Sequence, residues 1–523
     1  MALHTTTIDD LPKDVSELQR LVLKLIGENR DLTERVRELL EKRFGRSSEK
    51  FDPDQLRLFA ELAVGAQTEE KPEEPEETVE VPSHTRRKHK GHGREALPAH
   101  LPRILHDCDP PESERICSCC GKPLVRIGEE ITERGEYIPA RLVVNRYVRG
   151  RFACPEGHDG VRVGDLPPAL IDKAKYEVSM YAHLVCAKYA DHLPLNRLNG
   201  IFKRHGLSIS TSLMWSMIER VAELLEGVAR QMKLELLAQS YLGADETPIT
   251  VLIPGQKGSK QGWIWTYLSR IGERKLAIFV FTISRSRAGP NGFLADWKGG
   301  ILQADGYGGY DDLGRRADIV RAGCLGHVRR KFKDALDSSR IHAARILLEI
   351  GRIYRIESAL KKRRQARGLD HEEFVELRCL VRGRRSRRVM ERIEQIARSI
   401  IAEGRTLPKS PLGKAIDYML NEWPRLLVFL DHGEVEPDNN DVERAIRHVA
   451  IGRKNWMFAG SEKGAQAAAL LYSIVSSCKA LGIDPEAYIA DTLRAISTTP
   501  ISQAASLTPW AWAARHTDGT TAS

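Results

Sequence analysis

The sequence predicts a multidomain α+β protein, and three observations carry that prediction. Five segments of strand-like composition follow one another at 242–252, 263–268, 275–281, 300–310 and 318–324. The stretches around them, from Ile171 to about Leu237, from about Lys331 to Arg425 and from Asp438 to Trp456, read as helical. Ahead of all of these, the acidic and proline-bearing run 69–77 lacks the apolar residues needed to offset the entropy of ordering, and marks a linker. With 523 residues the chain has length for three or four domains.

Composition narrows the function. A net charge of +9 and a pI near 9.0 favour a polyanionic partner. The longest apolar runs are strand-length and the N-terminus does not resemble a signal peptide, which predicts a cytoplasmic protein without membrane contact. Nine cysteines in a chain this long do not make a disulfide framework, and their clustering points to metal.

The N-terminal helix carries Leu18, Leu25, Leu32 and Leu39 every seventh residue, with Val22, Asn29 and Val36 at the intervening apolar positions. That is the pattern of a short parallel coiled coil, with Asn29 as a register-setting polar residue; the alternative is an amphipathic helix packed on its own protein. The basic run 84–94 follows the linker and suits a phosphate-tracking arm. Next, Cys117 and Cys120 form a C-x2-C pair whose two thiolates reach one tetrahedral ion, across a strand-like segment, 137–152, from Cys154 and His158. These four residues are the expected ligands of a structural Zn²⁺, with Cys108 and Cys119 in reserve.

Within the helical region, 195–206 leads through a glycine into 207–216, the outline of a helix-turn-helix. Lys203, Ser210, Thr211 and Ser212 are its expected DNA contacts; any αα-hairpin shares the outline. Farther on, Asp245 sits inside a strand and Asp305 ends another. A carboxylate so placed pays desolvation unless it is paired or binds a cation. Glu443 lies on a helix for which Asp438 or Asn439 can provide the cap, with Arg444 beside it and Arg447 one turn on. Either it makes helix-surface ion pairs, or it ligates a metal while the arginines hold phosphates.

The blocks 244–248, 303–310, 323–332 and 438–456 closely resemble the transposase of the insertion sequence 66 family, in the family's order and over nearly the whole chain. The resemblance implies a DDE transposase with a ribonuclease H-like α/β core, and Asp245, Asp305 and Glu443 as its three catalytic, metal-holding acids. Three carboxylates so converged can hold two Mg²⁺ or Mn²⁺ ions for in-line displacement at phosphorus. Where the family has a second C-x2-C, position 157 is glycine here, which leaves the fourth zinc ligand to His158.

The expected division is therefore a zipper-like region at 1–66, a charged linker with a basic arm at 67–100, a zinc-finger-like module at 101–168 and a helix-turn-helix-like region at 169–238. A catalytic core follows at 239–465, with an arginine-rich helical insertion at about 331–425, and a C-terminal helical segment and tail at 466–523. The basic face of the insertion either grips DNA flanks or is simply solvated. Arg329, Arg330, Arg444, Arg447, Arg453 and Lys454 are expected to position DNA, whereas His327 reads as structural. Trp510 and Trp512 read as packed on the core.

The expected activity is hydrolytic nicking at the ends of an insertion sequence, then joining of the 3′ ends to target DNA. A nuclease that cuts without joining, and an inactive zinc and helix-turn-helix regulator, are the competing readings. The expected partners are double-stranded DNA, both element ends and target, a second copy of the chain or a larger synaptic assembly, and accessory proteins of the same element. The setting implied is the bacterial cytoplasm, at the nucleoid.

Overall fold

The computed structural model describes residues 142–152, 162–163, 174–253, 258–271, 274–404 and 406–517, with single positions at 119, 122, 165, 170 and 255. The heptad helix, the linker, the basic arm and the candidate zinc ligands Cys117, Cys120, Cys154 and His158 lie outside these. Two compact units are distinguished, Glu69–Asp165 and a second that includes Leu166–Ser523. In the first, β1 (Arg151–Phe152) pairs antiparallel with β2 (Arg162–Val163). The expected strand over 137–152 is thus shorter than composition suggests, because 142–150 is exposed and without regular structure.

The larger unit is mixed α/β with a helical majority. It opens with four helices, α1 (Val178–Tyr189), α2 (Leu195–Arg204), α3 (Thr211–Leu224) and α4 (Glu226–Leu237). The turn between α2 and α3 passes through Gly206 at φ +80°, a left-handed position that glycine adopts without steric cost. Ser210 then caps α3 by accepting the Leu213 N–H at 3.2 Å. Leu198, Phe202, Ile209 and Met214 bury the inner faces of the pair.

A six-stranded sheet follows, in the order β5 (Arg274–Thr282), β4 (Ser259–Ile271), β3 (Tyr241–Leu252), β6 (Gly300–Gln303), β7 (Ile319–Ala322), with β8 (Phe458–Ala459) pairing the far end of β3. β3, β4 and β5 form an antiparallel meander, a short helix, α5 (Ala288–Phe293), follows β5, and β6 and β7 run parallel to β3. The long helix α13 (Glu462–Leu481) covers β5 with an alanine-rich face, close enough for Ser473 Oγ to accept the Phe279 N–H at 2.8 Å. Trp510 and Trp512 pack against the same core, as expected.

A second core lies where β6 and β7 meet the segment between β7 and the Glu443 helix. There α6 (Leu325–Asp334), α7 (Arg340–Arg367), α8 (His371–Val381), α9 (Arg387–Ala402), α10 (Pro411–Asn421) and α11 (Trp423–Asp431) form a helical layer. The run 382–388 does not present one uniform basic face. Arg382 is fully buried, donating to both oxygens of Glu357 and to the carbonyls of Phe429, His432 and Val435, while Arg384, Arg385 and Arg388 are exposed. A guanidinium has five donors, enough to satisfy a cluster of inward-facing carbonyls that water cannot reach.

Candidate active site

The C-terminal ends of β6 and β7 lie beside the first half of β3, which runs on past them. The register sets Gly243 opposite Gln303, and Gln303 opposite Ala322. Two residues beyond these positions stand Asp245, Asp305 and Cys324. Neighbouring strands are about 4.8 Å apart, so the three form one row about 10 Å long.

The helix α12 (Asn440–Trp456) is laid across that row by one residue and one missing side chain. Asn439 Nδ2 donates to the carbonyl of Ala244 on β3 at 2.8 Å, and its backbone N–H donates to Cys324 Sγ beyond β7 at 3.2 Å. Asn439 is therefore a clamp and does not cap the helix with its side chain; Asp438 Oδ1 accepts the Asn440 N–H instead, at 3.1 Å. Where α12 meets β3 the strand carries Gly243, and a Cβ there would stand 2.6 Å from Val442 Cγ2. The absent side chain is what lets the helix approach.

Glu443, one turn beyond Asn439, is thereby brought to the acid row. Its Oε1 lies 3.7 Å from His327 Nδ1 and its Oε2 lies 3.6 Å from Arg330. Ligand atoms of Cys324, His327 and Glu443 fall within 4.8 Å of one another. Asp245 feels all of this: burial first, then the carboxylates of Glu246, Asp305 and Glu443, push its carboxyl up to about 8, with His327 acting in the opposite sense. Three acids from distant parts of the chain thus share one electrostatic site in which their mutual repulsion outweighs the nearby cations at Asp245.

A brace supports the row from Glu246. Arg285 donates to its Oε1 through Nε at 2.9 Å and Nη2 at 2.5 Å, and Tyr310 donates to its Oε2 at 2.9 Å. The Arg285 guanidinium lies 3.9 Å from the centre of the Tyr307 ring and 4.7 Å from that of Trp263, and the Tyr307 hydroxyl donates to the Arg285 carbonyl. Tyr307 N–H in turn donates to Asp305 Oδ1 at 3.0 Å. The brace orients the second acid through its own loop, and no local motif marks Arg285 for that role.

Several expectations need correction. Glu443 is not embedded between Arg444 and Arg447: Arg444 pairs with Asp441, Arg447 is exposed, and neither forms an ion pair with Glu443 among the described residues. The acid ringed by cations is Asp441, whose contacts to Arg270 at 2.7 Å and Lys275 at 2.9 Å tie α12 to β4 and β5. Burial alone would raise Asp441, but Lys275, Arg270 and Arg444 hold its carboxyl well below the usual carboxylate range. His327, read from sequence as structural, faces Glu443; the short motif Cys324-x-x-His327 was the available signal.

The remaining basic residues are distributed unevenly. Arg453 Nη1 donates to Thr247 Oγ1 at 2.7 Å and to the Pro248 carbonyl, tethering α12 to β3 where a phosphate was expected. Arg330 and Lys454 are exposed, and Arg329 is half-buried. On the helix pair, Lys203, Ser210 and Ser212 are exposed and Thr211 is half-buried.

An acid row running from β3 past the ends of β6 and β7, reached by a helix from far along the chain, falls within a segment that defines the class. A family profile described as "Transposase IS66 family" matches residues 173–467, placing the chain among the transposases. A leucine-zipper profile described as "Transposase C of IS166 homeodomain" matches 31–105, the "zinc-finger binding domain of transposase IS66" matches 114–156, and the "IS66 C-terminal element" matches 473–510. The chain belongs to the IS66 transposase family, with its zipper and zinc-finger regions. The zinc-finger match contains Cys117, Cys120 and Cys154 and ends before His158.

The chain is also similar to proteins of Sinorhizobium fredii that carry no assigned activity. It is 33% identical to the uncharacterized protein y4jD, over 97% of this chain and 98% of that one. It is 31% identical to the uncharacterized protein y4hP, over 88% and 84% respectively. No helix among the described residues is long and apolar enough to cross a membrane.

Proposed function

We propose that this protein is a DDE transposase that nicks the ends of an insertion sequence hydrolytically and joins the freed 3′ ends to target DNA. The observation that carries the reading is the convergence of Asp245, Asp305 and Glu443 from two parallel strands and a helix. The mixed sheet, with one acid inside β3 and another just beyond the parallel β6, supports the ribonuclease H-like reading of the core.

The donor set fits divalent cations. Glu443 Oε1 and His327 Nδ1 are buried without a hydrogen-bond partner, and burial, then the carboxylates of Glu246, Asp305 and Glu443, raise the Asp245 carboxyl. Mg²⁺ or Mn²⁺ held by Asp245, Asp305 and Glu443 would supply activation of an attacking oxygen and stabilisation of a departing one at phosphorus. The chain's own part is positional. Asn439 and Gly243 set the distance between helix and strand, the Arg285 brace orients Asp305, and Arg329, Arg330, Arg444, Arg447 and Lys454 hold DNA phosphates near the row. Lys203, Ser210, Thr211 and Ser212 on the helix pair read the element end, Zn²⁺ stabilises the module containing Cys117, Cys120, Cys154 and His158, and the N-terminal heptads pair two copies.

The test is Mg²⁺-dependent cleavage of an end-labelled element terminus, followed by joining to a target duplex, with DNA binding measured alongside. Loss of both reactions in Glu443→Gln with binding retained is the expected result. Unchanged cleavage in Glu443→Gln overturns the assignment, and cleavage without joining by the wild type reduces the protein to a nuclease.

A further inference from the structure

Beyond the three acids, the row has a softer end. Cys324 occupies the third position, at the close of β7, and His327 follows one turn later in the first turn of α6. His327 Nδ1 and Glu443 Oε1 face each other at 3.7 Å, too far for a hydrogen bond, and both are buried without a partner. A buried polar atom left without a hydrogen bond has lost its water and gained nothing, so two of them facing one gap ask for something between them. Two donors bound to one small cation at about 2.1 Å each stand about 3–3.6 Å apart, close to the separation observed.

We infer that His327 is a ligand, with Glu443, of a divalent cation at this end of the row, and that its imidazole tilts the site toward transition-metal ions over Mg²⁺. The inference rests on the proposed acid site and adds to it a nitrogen donor. Imidazole strengthens binding along the first-row series, while Mg²⁺ prefers an all-oxygen shell. Cys324 is the weaker candidate of the pair: it is 2% exposed and its sulfur already accepts the Asn439 N–H. Its place in the row is to anchor the clamp.

The experiment is metal binding by the full-length protein without DNA, with Mn²⁺ followed through the electron paramagnetic resonance signal of the free ion and Mg²⁺ by competition. Wild type is expected to bind Mn²⁺ at least about tenfold more tightly than Mg²⁺, and His327→Leu to lose about tenfold or more of its Mn²⁺ affinity with little change for Mg²⁺. His327→Asp restores an oxygen donor and is expected to narrow the gap by strengthening Mg²⁺. If circular dichroism shows His327→Leu unfolded, the Asp variant alone decides: an unaltered Mn²⁺ to Mg²⁺ ratio overturns the inference. So does Mn²⁺ affinity within about twofold of wild type in folded His327→Leu. Asp245→Asn separates the two levels, because loss of both ions there with no effect at His327 sinks only this inference. Retention of both ions in Asp245→Asn sinks the acid site itself.

Discussion

Gly243→Ala isolates the approach of α12 to β3 from the chemistry of the acids. The added Cβ would lie 2.6 Å from Val442 Cγ2 and 3.0 Å from Asn439 Oδ1, where carbon atoms ordinarily touch at about 3.5–4.0 Å. Neither neighbour yields easily. Val442 is β-branched and held to one rotamer in a helix, and Asn439 is bonded to the strand through its amide. The helix must therefore move outward by about 1 Å, an overpacking cost of about 1–3 kcal/mol. Glu443 moves with it, and a displacement of that size at a reacting site costs about a hundredfold in rate. The assay is single-turnover nicking of an element end, paired with thermal unfolding. The expected result is a Tm lower by a few degrees with nicking down about a hundredfold. Gly227→Ala on α4, where a Cβ meets nothing within 4 Å, is expected to gain up to about 1 kcal/mol and leave the rate unchanged. A folded Gly243→Ala that nicks at the wild-type rate would refute the claim that this contact sets the position of Glu443.

Three further outcomes follow from the same geometry. Asp245→Asn removes one of the mutually repelling carboxylates at nearly constant shape, so the metal-free protein is expected to melt a few degrees higher while any Mg²⁺-induced rise in Tm disappears. Arg382→Met leaves Glu357 short of a partner and three buried carbonyls without their donor, and is expected to lower unfolding stability by about 3 kcal/mol or more in urea titration. Glu436 is held at about 2 against its own burial by Arg378 and Lys361. A carboxyl depressed on folding contributes stability that is complete above its unfolded value, about 4.3, and is lost as pH falls through the folded one. Stability is therefore expected to drop by up to about 3 kcal/mol between about pH 4.5 and pH 2, and a Glu436→Gln variant is expected to lose that part of the dependence.

Local patterns were enough to locate the strands that carry Asp245 and Asp305 and the helix that carries Glu443, because alternation and composition act within a few residues. The helix-turn-helix outline was visible for the same reason, in the glycine turn and the hydroxyl cap at Ser210. The neighbours of each charge were not visible. Spacing along α12 put Arg444 and Arg447 beside Glu443, yet the helix turns Glu443 toward the row and gives Arg444 to Asp441. Arg382 looked like part of a basic surface, and only its place between α7 and α11 shows why it is buried. Arg285 had no motif at all; it acts through a glutamate 39 positions earlier and a loop that follows β6.

By itself the amino-acid sequence determined which residue types stand at strand ends and helix starts, the basic charge, and membership of a transposase family through blocks in a recognisable order. Only the tertiary structure decided that Asp245, Asp305 and Cys324 share one row, that His327 faces Glu443, and that Asn439 clamps the helix over them. The reason is physical: periodicity assigns a side chain to a face, whereas strand register and close packing decide what that face meets.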